Sequence, residues 1–385
     1  MDSINTSNQS ISADEIALYD RQIRLWGVKA QEKLRSANIL LITVKALANE
    51  VAKNLVLAGI GSLTIIDHEP VTEEDLGAQF FVSQENIGQN RAQAAGPQIR
   101  AMNPRVRLHI DTDNVRSKPP EFFAKFDVTI ATELDFTLYT TINAACRIAN
   151  RRFYAAGLHG FYGYVFSDLI SHDFVIERSK PNVASPYQET PTRSIVQITT
   201  KKENNKVIEM VTKREVYTPL LLANTSPLPE DFTRLPRKRR QVTPLLSCLR
   251  GLWEFEKISG GRLPSESNAQ DRASFIELAT NALQELKLDI STLTSEALLK
   301  FLDNLRCELS PVAAFVGGSL AQDVINVLSA REQPLQNLLL FDGEKSVAPI
   351  YPLHPFFPPE VGNVLAAVAP VANPIPLEES AVVIL

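Results

Sequence analysis

Two short apolar runs joined by one amphipathic stretch constrain this chain more than any other feature. Asn38-Ile39-Leu40-Leu41-Ile42-Thr43-Val44 is apolar almost without interruption, the pattern of a strand buried on both faces. It leads into a helix in which Leu47, Val51 and Leu55 recur every four residues on one face. Gly59 and Gly61 punctuate the helix end, and Leu63-Thr64-Ile65-Ile66-Asp67 is a second strand that closes on an acid. Strand, helix and strand with an acid at that distance make the opening of a Rossmann-like α/β fold with a right-handed crossover.

The pattern continues downstream. Residues 84–102 read as a helix and 106–110 as a strand. Residues 127–132 and 153–156 read as buried strands, with a helix over 138–150 between them. Residues 160–177 look antiparallel around Gly160 and Gly163. Upstream, Ser12 and Glu15 have the spacing of a capping box, a helix is expected to break at Gly27, and another covers 28–35. Residues 180–240 are polar and mixed, residues 242–306 mostly helical apart from a loop at 260–268. A hydrophobic helix over 311–328 and a strand and turn over 337–343 follow. The last 40 residues hold 8 of the 24 prolines and read as a tail outside the core.

Composition excludes several classes. A net charge of −5 argues against a dedicated nucleic-acid binder. Three cysteines without a C-x-x-C, and five scattered histidines, make neither a disulfide scaffold nor a metal site. The odd cysteine suits a reducing compartment. The N-terminus is polar and acidic, unlike a signal peptide, and no membrane span is expected.

The first strand–helix turn reads Thr43-Val44-Lys45-Ala46-Leu47-Ala48-Asn49 and contains no glycine. A nucleotide-binding unit needs glycine there, because backbone N–H groups must approach phosphate at the helix N-terminus without Cβ atoms in the way. The fold pattern is present and the phosphate cradle is damaged, which sets aside a plain NAD dehydrogenase.

Tyr19-Asp20-Arg21-Gln22-Ile23-Arg24-Leu25-Trp26-Gly27, Asn54-Leu55-Val56-Leu57-Ala58-Gly59-Ile60-Gly61 and Ile65-Ile66-Asp67 together resemble the activating enzymes of ubiquitin-like modifiers, relatives of the bacterial ThiF/MoeB adenylating enzymes. Residues 67–80, 160–166, 311–318 and 341–343 look most like the non-catalytic subunits of SUMO-activating enzymes. The likeness covers residues 12–178 and 306–345, is weak between them and is absent from the tail. It implies a ThiF-type adenylation fold with a mostly helical insertion. Residues 1–11 would be a disordered N-terminus, and 12–178 the first part of a pseudo-adenylation domain. Residues 179–305 would be half of a catalytic-cysteine-type domain lacking that cysteine, 306–345 the closing helix and strand, and 346–385 a proline-rich tail.

Active members carry G-x-G-G-x-G where this chain has Thr43, Lys45, Ala46 and Ala48. Their Arg-Gln-Phe arginine is Ala78 here, and their next-helix lysine corresponds to Arg91. Asp67, with Asp135 as a second candidate, remains from the site. The resemblance therefore implies that this chain binds no cofactor and that MgATP sits on a catalytic partner subunit. It implies that Arg21 reaches in trans to the ATP phosphates, with Arg24 a weaker candidate that could only pack or pair at the interface. The implied partners are that subunit, SUMO and, through the complex, a conjugating enzyme, in the nucleus with a cytoplasmic pool. Rivals are the non-catalytic subunit for a Rub/Nedd-type modifier and a scaffold without chemistry. Cys146, Cys248 and Cys307 read as structural, Trp26 and Trp253 as packing anchors. Arg237-Lys238-Arg239-Arg240 reads either as an import signal or as the solvated start of a helix.

Overall fold

The computed structural model describes residues 11–181, 185–203 and 206–355, so the expectation for residues 1–10 and most of that for 346–385 lie outside the described residues. Eleven strands are present among the described residues: β1 (Asn38–Ile42), β2 (Ser62–Ile66), β3 (Arg107–Asp111), β4 (Val128–Thr132), β5 (Arg152–His159), β6 (Tyr162–Asp168), β7 (Ser171–Ser179), β8 (Arg193–Glu203), β9 (Lys206–Val216), β10 (Leu338–Asp342) and β11 (Ile350–Tyr351). Eight form one sheet in the order β11-β10-β6-β5-β4-β1-β2-β3. β3, β2, β1, β4 and β5 run parallel, and β6, β10 and β11 extend the sheet antiparallel. The order 3-2-1-4-5 is that of a doubly wound fold, and its chain reversal falls between β1 and β4.

Burial on both faces explains the uninterrupted apolar strands. On one face lie the helices Val28–Ser36, Ala46–Leu57, Arg91–Met102 and Ser310–Ser329, sharing a core with Ile39, Leu41, Leu63 and Ile65. Leu47, Val51 and Leu55 are all fully buried there. The helix Ser310–Ser329 is apolar and long enough to span a bilayer by composition, but it packs on Ala46–Leu57 as a core helix. Gly317 permits that approach: a Cβ there would stand 2.6 Å from the Glu50 Cβ.

The other face is covered by the helix Phe136–Ile148 and by the helices Leu245–Ile258, Ala269–Glu285 and Ser295–Asp303. Trp253 stacks on Phe136 with ring centroids 5.1 Å apart and meets Tyr164 edge-on, a packing anchor as expected. The helices of residues 245–303 therefore share one core with the sheet. The sequence reading missed how the insertion begins. Strands β7, β9 and β8 form a separate antiparallel sheet in that order, and the long β8 and β9 pair precedes the helices. Alternation along β8 is broken by a register shift between Ile195 and Gln197, which hides the period of two.

The tail expectation needs one correction. Residues 350–353 belong to the core: β11 pairs with β10, and Tyr351 and Leu353 are buried. The Tyr351 hydroxyl accepts from Thr243 N at 3.0 Å, and Asn337 exchanges two hydrogen bonds with the Leu353 backbone. Prolines at 349, 352 and 355 are compatible with an edge strand, where their missing N–H costs no ladder bond.

Candidate functional site

In an open α/β sheet the ligand crevice lies beyond the carboxyl ends of the strands where the order reverses. Here the last residues of β1 and β4 run into Thr43 and Glu133, both in the left-handed region at φ 68° and 54°. A β-branched residue pays a steric cost there that glycine would not. The Thr132 hydroxyl donates to Ile42 O and shares the Thr43 carbonyl, both at 2.9 Å, and so bridges the two strand ends.

The expected phosphate positions are filled or committed. Ala46 and Ala48 open the helix Ala46–Leu57 and are buried in the core. The Glu308 carboxyl lies near the Ala46 N–H and Lys45, where a phosphate would sit on a helix N-terminus, and its Oε1 is buried with no hydrogen-bond partner among the described residues. Burial raises its pKa, while Lys45 and the Ala46 N–H pull it back. Burial also pushes Glu133 up to about 8, with Glu308 adding and Lys45 subtracting. Glu133 accepts from Leu158 N at 2.7 Å.

The other remnants form a closed buried set. Arg91 donates to Asp67 Oδ2 at 2.8 Å, to Asp75 Oδ2 at 3.3 Å and to Pro70 O at 3.3 Å. Burial alone would lower its pKa, but the two carboxylates outweigh burial and raise it. Asp67 also accepts from Val44 N at 2.8 Å and Glu69 N at 3.0 Å. Asp75 accepts from Thr72 N at 2.8 Å and Gln79 Nε2 at 2.6 Å. Ala78, buried beside Gln79, brings no cation. Asp135 caps the helix Phe136–Ile148 by accepting from Leu138 N at 3.1 Å, and it is paired with Arg116. A polyphosphate entering this crevice would meet Glu308 and Glu133, and an arginine already held by Asp67 and Asp75.

The degenerate site read from the sequence comprises Thr43, Lys45, Ala46, Ala48, Asp67, Ala78 and Arg91; Glu308, Glu133 and Asp75, which the structure adds around it, were not singled out there. Glu133 was findable, because it directly follows a strand at the reversal point. Nothing local marks Glu308, which comes to the N-terminus of the helix Ala46–Leu57 from a segment remote in sequence.

Glu256 yields a further check on this acidic interior. Burial pushes its carboxyl up to about 8, although Phe136 N donates to Oε2 at 3.0 Å and favours the ionised form. An acid with a raised folded pKa keeps a proton that the unfolded chain releases, so stability falls as pH rises from about 4.5 to about 8. Glu256→Gln retains the acceptor and has no charge to desolvate. Calorimetric stability should match the parent near pH 5 and exceed it by roughly 1–3 kcal/mol near pH 8.5. Equal stability at the higher pH would mean that Glu256 ionises freely in the fold.

Arg21 and Arg24 lie elsewhere, on the helix Asp20–Trp26. Arg24 is exposed and paired with Asp20, Nη2 to Oδ2, at 2.8 Å. Arg21 is exposed and has no ion-pair partner among the described residues. Cys146 and Cys248 are buried and burial pushes both thiols up to about 12, so neither is a thiolate nucleophile near neutral pH. Cys307 is exposed.

The chain thus combines a doubly wound sheet, an antiparallel extension and a first strand–helix turn without glycine. Residues 19–355 match the model of the ThiF family, and the chain belongs to that family. Over most of its length it is similar to two kinds of curated protein. It is 38% identical over 351 residues to the DNA damage tolerance protein RHC31 of Saccharomyces cerevisiae, covering 89% of this chain and 98% of that protein. It is 33% identical over 336 residues to SUMO-activating enzyme subunit 1 of Homo sapiens, covering 87% and 94%. The resemblance carried by the motifs is borne out.

Proposed function

We propose that this chain is the non-catalytic subunit of a heterodimeric SUMO-activating enzyme. It would be inactive alone and would lend Arg21 to a nucleotide site on its partner. The observation that carries this reading is the contrast between the two sites. Carboxyls line the chain's own phosphate crevice, whereas Arg21 stands exposed, without an ion-pair partner among the described residues, beside a paired Arg24. Family membership and likeness to SUMO-activating enzyme subunit 1 support the pairing. Leu25 and Leu57, 77% and 46% exposed, offer apolar surface next to Arg21 for such a partner.

The partner, holding MgATP, supplies the adenylating chemistry, joining the SUMO terminal carboxylate to the nucleotide with loss of pyrophosphate. It then takes SUMO onto its own cysteine as a thioester, with release of AMP, and passes it to a conjugating enzyme. This chain contributes a guanidinium whose charge never titrates away and whose fork fits phosphate oxygens. Charge placed against developing phosphate charge lowers the barrier without changing the bonds made. Nuclear residence with a cytoplasmic pool is part of the proposal; Arg237 and Arg240, exposed on the helix Pro236–Arg240, fit either an import signal or the solvated start of the helical region.

The test is SUMO-dependent ATP–pyrophosphate exchange with this chain, with the catalytic subunit and with both. Exchange is expected only in the mixture. Exchange by this chain alone would overturn the reading of the carboxyl-lined crevice. A silent mixture that becomes active with a Rub/Nedd-type modifier would reassign the modifier.

A further inference from the structure

The helix Asp20–Trp26 fully buries none of its own side chains, and Trp26, partly buried against the core, is its packed end. Hydrogen bonds at the end of another helix add to that hold. The last carbonyls of Ala46–Leu57 lack onward helical partners, as at any helix C-terminus. Three consecutive carbonyls, those of Val56, Leu57 and the C-cap Ala58, accept side-chain amides, and Val56 O also accepts from Gly59 N at 3.1 Å. Val56 O accepts from Asn103 Nδ2 at 2.9 Å, Leu57 O from Gln22 Nε2 at 3.3 Å and Ala58 O from Gln31 Nε2 at 2.9 Å. Gln31 Oε1 in turn accepts from Trp26 Nε1 at 2.9 Å, tying down the far end of the Arg21 helix.

Asn103 is the member of this clamp that faces the residue before Arg21's helix. It is buried, and its Nδ2 also donates to the Tyr19 hydroxyl at 2.8 Å, while its Oδ1 accepts from Arg105 N at 3.2 Å. Tyr19 is itself buried and lies against Gly59, at φ 80°, where a Cβ would stand 2.6 Å from the ring. The Tyr19 carbonyl accepts from Gln22 N at 3.0 Å and Ile23 N at 2.8 Å, starting the helix. Fixing Tyr19 therefore fixes the direction in which the helix, and Arg21 on it, leaves the body of the protein.

We infer that Asn103, through Tyr19, is a positioning residue for Arg21. The inference rests on the proposed action of Arg21 in trans. A group that must meet a phosphate oxygen within hydrogen-bond reach loses most of its effect when displaced by about 1 Å. Asn103 touches no reacting atom; it holds the backbone from which the guanidinium extends.

The experiment is a double-mutant cycle on the heterodimer, read as kcat and KM for ATP in pyrophosphate exchange. Asn103→Ala is expected to lower kcat about 10- to 100-fold when Arg21 is present, with little change in KM. In an Arg21→Ala background it is expected to lower kcat no further, because the group it positions is gone. An equal fall in both backgrounds would show a general structural role and overturn the inference, as would full activity in the single variant. Tyr19→Phe, which keeps the ring on Gly59 and removes only the hydroxyl, gives the same cycle if Asn103→Ala does not fold. An Arg21→Ala enzyme with normal exchange would instead sink the trans reading itself, whatever Asn103 does.

Discussion

Arg21→Ala should lower SUMO-dependent pyrophosphate exchange by the paired enzyme by roughly 10³-fold, the lower end of what arginine fingers contribute to phosphoryl transfer. The loss should fall on kcat, because charge that builds on phosphate oxygens in the transition state is what the guanidinium meets. Folding should be unaffected within about 0.5 kcal/mol, since the residue is exposed, has no ion-pair partner among the described residues and lies on a helix that alanine favours. Arg21→Lys should recover part of the rate, because an ammonium keeps the charge and loses the fork. Arg24→Ala should cost far less, because Arg24 is already spent on an exposed pair with Asp20. Exchange that survives Arg21→Ala undiminished would leave this subunit as a scaffold.

The second large effect concerns stability. Arg91→Met should destabilise the chain by about 3–5 kcal/mol, the cost of removing one partner from a buried ionic set. The side chains of Arg91, Asp67 and Asp75 are 5%, 2% and 5% exposed, so solvent cannot replace the missing charge. The variant leaves two buried carboxylates facing each other with only neutral donors. Its deficit should shrink on acidification, because the orphaned carboxyls can then take up protons in the folded state. Adding Asp67→Asn should restore part of the loss at neutral pH, whereas Asp67→Asn alone should destabilise. Denaturant titration of all three at two pH values checks the pattern. A loss below about 1 kcal/mol would mean that the set is hydrated and behaves like a surface pair.

These two arginines divide the motif residues of the chain. Arg91, which the motif resemblance sets against a lysine of active members, has its donors turned inward onto Asp67 and Asp75. A lysine, with one point charge on a flexible stem, could not satisfy both carboxylates and the Pro70 carbonyl from one position. The substitution thus fits a crevice reused as part of the core.

How far the sequence carried the reading varies residue by residue. The periodic burial of Leu47, Val51 and Leu55, the apolar strands β1, β2 and β4, the capping box of Ser12 and Glu15 and the role of Trp253 were all legible. Each is encoded within one or two turns or strands, where side-chain spacing alone sets which face is covered. The β8–β9 pair was not legible, because a bulge interrupts its alternation and its polar residues dominate the count. Tyr351 and Leu353 were hidden by surrounding prolines, which lower strand propensity without preventing an edge pairing.

The same division holds for the site. By itself the sequence determined that a doubly wound α/β unit would form, that its first turn lacked glycine, and that Arg21 belonged to a motif while the cysteines did not look catalytic. Those conclusions depend on residue types at short spacings, which local backbone geometry translates directly. Only the tertiary structure decided what lines the crevice, and what holds Arg21's helix. Glu308 comes to the N-terminus of the helix Ala46–Leu57, and Asn103 to its C-terminus, from segments remote in sequence. Helix ends leave polar groups that any nearby segment can satisfy, so their partners are chosen by how the layers pack, and no local spacing records that choice.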